Sequence, residues 1–217
     1  MELLHWFIDF VLHLDRHLVE LIAQYGQWVY GILFVLIFAE TGLVVTPFLP
    51  GDSLLFALGA LAAIDAGGTL TAPALWGLLA LAAILGNTAN YAIGRAIGVH
   101  AFSGRYRFIK VAYLRRTEAY FERHGALTIV LSRFTPIIRT FAPFVAGVGH
   151  MPYGRFLAYN LVGGVVWVGL FIWGGYLFGN LPLIRDHFGL VTLSIVLVSV
   201  LPMILLVLKE RAGARAA

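Results

Sequence analysis

The sequence contains no cysteine. That excludes disulfide bridges, thiolate nucleophiles and cysteine-ligated metals or clusters. Charge is scarce as well. Asp, Glu, Lys and Arg make up 12% of the 217 residues, against about 25% in an ordinary soluble domain. Apolar residues take their place, at 60% of the chain. A globule of this size cannot bury so much apolar surface and still present a polar exterior. This argues against a soluble enzyme, a disordered protein and a disulfide-built secreted domain. The stretch 99–125 holds six basic residues (Arg105, Arg107, Lys110, Arg115, Arg116, Arg123) and two acids (Glu118, Glu122), which leaves the rest of the chain neutral. The composition predicts an integral membrane protein with one basic loop.

Residues 1–25 do not read as a signal peptide, because Glu2 stands where a basic residue belongs and no small-residue cleavage site follows. Polar residues recur there at close to the helical period, which predicts an amphipathic helix lying in the membrane interface. His13 and His17 stand four apart on that polar face. With no third ligand in view, no metal site is expected.

A membrane core needs about 20 apolar residues to cross. Phe188–Leu208 is free of charge, and Leu70–Ile93 and Phe156–Leu181 are nearly as clean. A fourth span is expected at Trp28–Val45, although it contains Glu40. Gly94 and Gly98, and the Gly174–Gly179 stretch, read as sites of close helix approach.

Two apolar stretches do not read as spans. Thr46–Ile64 opens with Thr46-Pro-Phe-Leu-Pro-Gly-Asp-Ser, and Ala126–Gly149 contains Ser132-Arg-Phe-Thr-Pro-Ile-Ile-Arg-Thr-Phe-Ala-Pro143. Proline removes a backbone donor, and broken backbone at membrane depth survives only where protein or a wet cavity receives it. Both stretches are therefore expected to be re-entrant hairpins, broken at Pro47, Pro50, Gly51, Pro136 and Pro143. Arg and Lys mark cytoplasmic loops, which puts 99–125 and the tail with Lys209, Arg211 and Arg215 on the inside. Two crossings between them satisfy this parity, while three would not. Thr46-Pro47 and Thr135-Pro136, followed by Gly59 and Gly147, hint at an inverted internal repeat of the kind found in secondary transporters.

The expected fold is thus an all-α polytopic membrane protein in a single domain. It comprises an interfacial helix (1–25), a first unit of span, hairpin and span (28–98), and the basic loop (99–125). A second hairpin and span (126–181) and a last span (188–208) follow, giving about four transmembrane helices in all.

Glu40, Asp52, Arg133 and Arg139 lie inside apolar stretches, two acids in the first unit and two bases in the second. Each such charge costs roughly 2.5–3.5 kcal/mol at the bilayer centre on insertion scales. They must be paired, hydrated or neutralised. Two structural salt bridges are one reading, but a buried ion pair seldom stabilises more than apolar residues of the same size. A functional role is the stronger reading.

The residues around this quartet resemble the DedA family, whose shared region is called the VTT domain. The likeness rests on Glu40-Thr-Gly-Leu, Pro47-Phe-Leu-Pro-Gly-Asp52, Gly86-Asn-x-x-x-Tyr-x-Ile-Gly-Arg95-x-x-Gly98 and Arg133-Phe-x-Pro-x-x-Arg139-Thr-Phe-x-Pro. It covers about residues 28–180, with no departure at the four charged positions. The resemblance implies a multi-pass protein of the bacterial inner membrane with two opposed re-entrant hairpins. It implies return of undecaprenyl phosphate, the lipid carrier of cell-wall synthesis, to the cytoplasmic leaflet, with proton coupling. Eukaryotic relatives are phospholipid scramblases.

That implied activity is compatible with the side chains. Arginine grips phosphate with a planar fork of donors, so Arg133 and Arg139 are expected to bind the phosphate. Glu40 and Asp52 are expected to take up protons when phosphate displaces them. Burial and a neighbouring arginine act on a carboxyl group in opposite senses, so the sequence leaves their resting charge open. The expected partners are an anionic polyprenyl phosphate and the membrane, without nucleic acid, cofactor or metal. A homo-oligomer stays open. A small-ion or solute transporter, a scramblase and a structural membrane protein are the competing readings. Enzymatic chemistry is not expected, since Ser53 and Ser132 have no histidine near them in sequence to serve as base.

Overall fold

A computed structural model describes residues 20–22, 24–43, 51–65, 68–98, 111–178 and 181. Most of the expected interfacial helix, Pro47, Pro50, residues 99–110 and the last span Phe188–Leu208 lie outside the described residues. Those that are described form helices and their connections, with no strand among them.

Two helices are long and apolar enough to cross a membrane, and each has 26 residues. Here they are called α3 (Ala72–Ile97) and α7 (Tyr153–Phe178). At 1.5 Å per residue each measures about 39 Å, beyond the roughly 30 Å of a hydrocarbon core. Pro73 sits in the first turn of α3, where its missing donor costs no helical bond.

The remaining helices are short. In the first unit, α1 (Val29–Gly42) and α2 (Gly51–Ile64) have 14 residues each. In the second, the amphipathic α4 (Val111–His124) precedes α5 (Thr128–Leu131) and α6 (Pro136–Val148). Within the span expected at Trp28–Val45, the described helix is Val29–Gly42. Helix α1 is about 21 Å long and ends where Leu43 turns extended. Its start lies beside the start of α3, where the Thr71 amide donates to the Tyr30 hydroxyl at 3.0 Å. Its end lies against Gly86, about midway along α3. Helix α1 thus runs beside the first half of α3. An 18-residue apolar run sits at the length threshold for a span, and composition alone does not reveal where its helix ends.

The second hairpin follows the same plan with different backbone. Its first arm is α5 flanked by turns of 3₁₀ helix at Gly125–Leu127 and Ser132–Phe134. The break falls at Thr135-Pro136, where Thr135 is extended and Pro136 opens α6. Pro143, expected as a second break, instead lies inside a continuous helix. Proline leaves the carbonyl four residues back without its helical donor, but a helix packed along its length tolerates this.

The hairpin arms exchange partners. Helix α1 packs on the span of its own unit, α3, while α2 packs on α7 and α6 packs on α3. The glycines make these crossings possible. A Cβ at Gly59 would overlap the Ile172 carbonyl, and one at Gly175 would overlap that of Phe56. The other crossing repeats the arrangement, with Gly94 against the Phe144 carbonyl and Gly147 against that of Tyr91. Gly98 and Gly174, by contrast, have open space around them. The two units match once more at their entrances. Gly26 and Gly125 both take positive φ, 51° and 57°, and each begins a 3₁₀ turn leading into an apolar arm. A side chain is strained in that backbone conformation.

Candidate functional site

The end of α1, the start of α2 and the start of α6 come together near the middle of the two long helices, and the four charged residues lie there. Arg139, near the start of α6, donates from Nη2 to Glu40 Oε1 at 2.5 Å and from Nη1 to Asp52 Oδ1 at 2.8 Å. Glu40 is in the last turn of α1 and Asp52 in the first turn of α2. One arginine from the second hairpin thus joins both arms of the first. Gly51 opens α2 beneath the Glu40 carboxylate, and any Cβ there would overlap it. Both acids therefore face the amide end of α2, which favours negative charge.

Arg133 stands apart from this triad. It is 2% exposed, and no carboxylate pairs with it among the described residues. Its Nη2 donates to Asn160 Oδ1 at 2.8 Å. Its Nε and Nη1 find no acceptor among the described residues. Gly163 and Gly164 of α7 admit the guanidinium, since a Cβ on Gly163 would stand 3.0 Å from Nε. A buried cation with two idle donors costs free energy unless something accepts from it.

Trp167 of α7 is fully buried between these parts. The Arg139 guanidinium lies 5.1 Å from its ring centroid and that of Arg133 5.7 Å. Its indole N–H donates to Asp52 Oδ1 at 2.9 Å, on the oxygen that also accepts from Arg139.

Three buried asparagines hold the tips. Asn160 donates to the Ile84 carbonyl at 3.0 Å and accepts from Asn87 at 3.1 Å. The amide nitrogen of Asn90 reaches Thr140 O at 2.9 Å and Thr41 O at 3.3 Å, one carbonyl from each hairpin. Asn87, Asn90, Asn160 and Trp167 received no role from the sequence. A signal was available, because amides inside otherwise apolar spans are expensive and tend to mark interior faces.

The other candidates fall elsewhere. Pro136 and Gly51 mark helix starts at the tips, while Pro143 is within α6. His124 and His150 contact nearby carbonyls, of Tyr120 and Val148. Among the described residues no three His, Asp or Glu gather as metal ligands.

Comparison with known proteins agrees in kind. The VTT domain model matches residues 49–177. Protein DedA of Escherichia coli K12 is 50% identical over 219 aligned residues, covering 100% of both chains. An uncharacterized membrane protein of Mycobacterium tuberculosis is 43% identical, over 82% of this chain and 78% of its own. The inner membrane protein YghB of Escherichia coli K12 is 34% identical, over 84% and 79%. No solved structure matches.

Proposed function

The chain belongs to the DedA family of VTT-domain membrane proteins, and from that premise we propose that it carries a lipid phosphate across the bacterial inner membrane. The substrate in this reading is a polyprenyl phosphate such as undecaprenyl phosphate. In this reading the two hairpins enter from opposite faces of the membrane and meet near its middle, where Arg139 of the second joins Glu40 and Asp52 of the first.

The single observation that supports this most is the state of Arg133, buried and, among the described residues, without a counter-ion and with Nε and Nη1 idle. Nε and one Nη form the fork that grips a carboxylate or phosphate bidentately. Asn160 takes one of the two Nη2 hydrogens, so the other can still complete a fork with whichever of Nε and Nη1 it faces. A phosphate held there supplies the missing negative charge. From Arg133 it passes to Arg139, the next arginine across the Trp167 ring, by displacing Glu40 and Asp52. Those carboxylates, buried and stripped of their cation, are neutralised by protons. Lipid entry and proton entry are thereby linked. Gating consists of the tips parting and closing while the crossings on α3 and α7 hold.

The test is reconstitution into liposomes of phosphatidylethanolamine and phosphatidylglycerol with a labelled polyprenyl phosphate. Transport stimulated by a proton gradient is expected. Protein that is folded and correctly inserted yet moves no lipid phosphate in either direction would rule out the proposal.

A further inference from the structure

Trp167 contacts three of the four charges of the site at once. Its N–H is on Asp52, and its ring lies within 5.7 Å of the carbons that carry the charge of Arg133 and Arg139. These are separable interactions. The ring binds the arginines through its π surface, which phenylalanine also offers. The N–H binds the acid, which phenylalanine cannot do. Since Asp52 Oδ1 takes both the indole and the Arg139 donor, loss of its charge weakens both bonds together. Hydrogen bonds to an ionised acceptor are roughly twice as strong as neutral ones.

We propose that Trp167 is a positioning residue that ties the protonation of Asp52 to the placement of both arginines. This inference rests on the transport reading above for its biological meaning, but not for its physical content. With Asp52 charged, the indole is pinned and the arginines are held on either part of the site. With Asp52 neutral, the indole is released, Arg139 keeps only Glu40, and the path between the arginines opens. The charged groups facing Asp52 are Arg139 from α6 and Glu40 from α1, with Arg133 on the same ring. Helices α3 and α7 also pack on α2, but their only charged residues, Arg95 and Arg155, are exposed.

The indole itself reports the event. The chain has five tryptophans, so subtracting the emission of W167F from that of the wild type isolates Trp167. In detergent, without any lipid substrate, this difference emission should change on acidification in the wild type and stay flat in D52N. If W167F does not fold, the total tryptophan emission of D52N against wild type carries the same comparison. In liposomes with labelled farnesyl phosphate, W167F should lose the stimulation of transport by a proton gradient. W167L, lacking the π surface too, should lose transport. Emission of Trp167 that is independent of pH, or a W167F chain with full gradient stimulation, would overturn the inference. Absence of lipid transport in the wild type, with the pH response of Trp167 intact, would instead overturn the transport reading alone.

Discussion

Arg133 and Arg139 lie over one indole ring in opposite electrostatic conditions: Arg139 is bonded to two carboxylates, and Arg133 has none among the described residues. Their substitutions should therefore move stability in opposite directions. Arg133→Met removes a buried charge whose donors are idle and should stabilise the lipid-free protein by about 1–3 kcal/mol. Arg139→Met strands two acids and should destabilise it by about 3–5 kcal/mol. Thermal midpoints in detergent decide this. A loss of stability in both variants would mean that Arg133 has a partner in the resting state.

Arg133→Lys keeps the charge and loses the fork. Insertion and accumulation should be normal while transport falls about tenfold or more, the scale of one charge-assisted hydrogen bond. Transport per folded molecule is the measurement. Wild-type rates would show that a positive field suffices.

Asn160→Asp places a carboxylate on the fork that the lipid phosphate is proposed to use. The variant should be more thermostable than the wild type, insensitive to added polyprenyl phosphate, and inactive in transport. A variant that still gains stability from the lipid would mean that the phosphate binds elsewhere.

Glu40→Gln and Asp52→Asn each leave Arg139 one acid. Either alone should cost stability modestly, about 1 kcal/mol, whereas the double variant should approach the 3–5 kcal/mol of a broken buried pair. Both single variants should bind lipid phosphate at least as well as wild type but lose their response to the proton gradient. Additive losses, with gradient response retained in the folded fraction, would favour two structural bridges over a proton path.

The hairpin topology can be read with cysteines, because the chain has none of its own. Cysteine placed at Gly68 should react with an impermeant maleimide from one membrane face, and cysteine at Gly125 or Gly149 from the other. Labelling of 125 and 149 from opposite faces would make the second hairpin a crossing.

Much of this was legible beforehand for a physical reason. A charge within an apolar run is costly wherever it lands, so Glu40, Asp52, Arg133 and Arg139 stand out without any coordinates. The two 26-residue spans stand out by length. Which arginine takes the acids was not legible, because residues six apart in a broken segment have no fixed relative direction. Pro143 looked like a break because the packing of α6 on α3, which supports it, is a long-range property. The asparagines went unremarked because an amide is chemically ordinary until it is buried.

The exchanged crossings also set a timetable for making the molecule. The face of α2 that carries Gly59 has its partner on α7, whose Ile172 and Gly175 are synthesised more than a hundred residues later. At typical elongation rates of 5–20 residues per second that interval is on the order of ten seconds. Throughout it the first half sits in the bilayer with its backbone-on-backbone seam uncovered and Asp52 lacking both its arginine and its indole. Until the second half is made, the first therefore lacks the contacts of both Gly59 and Asp52.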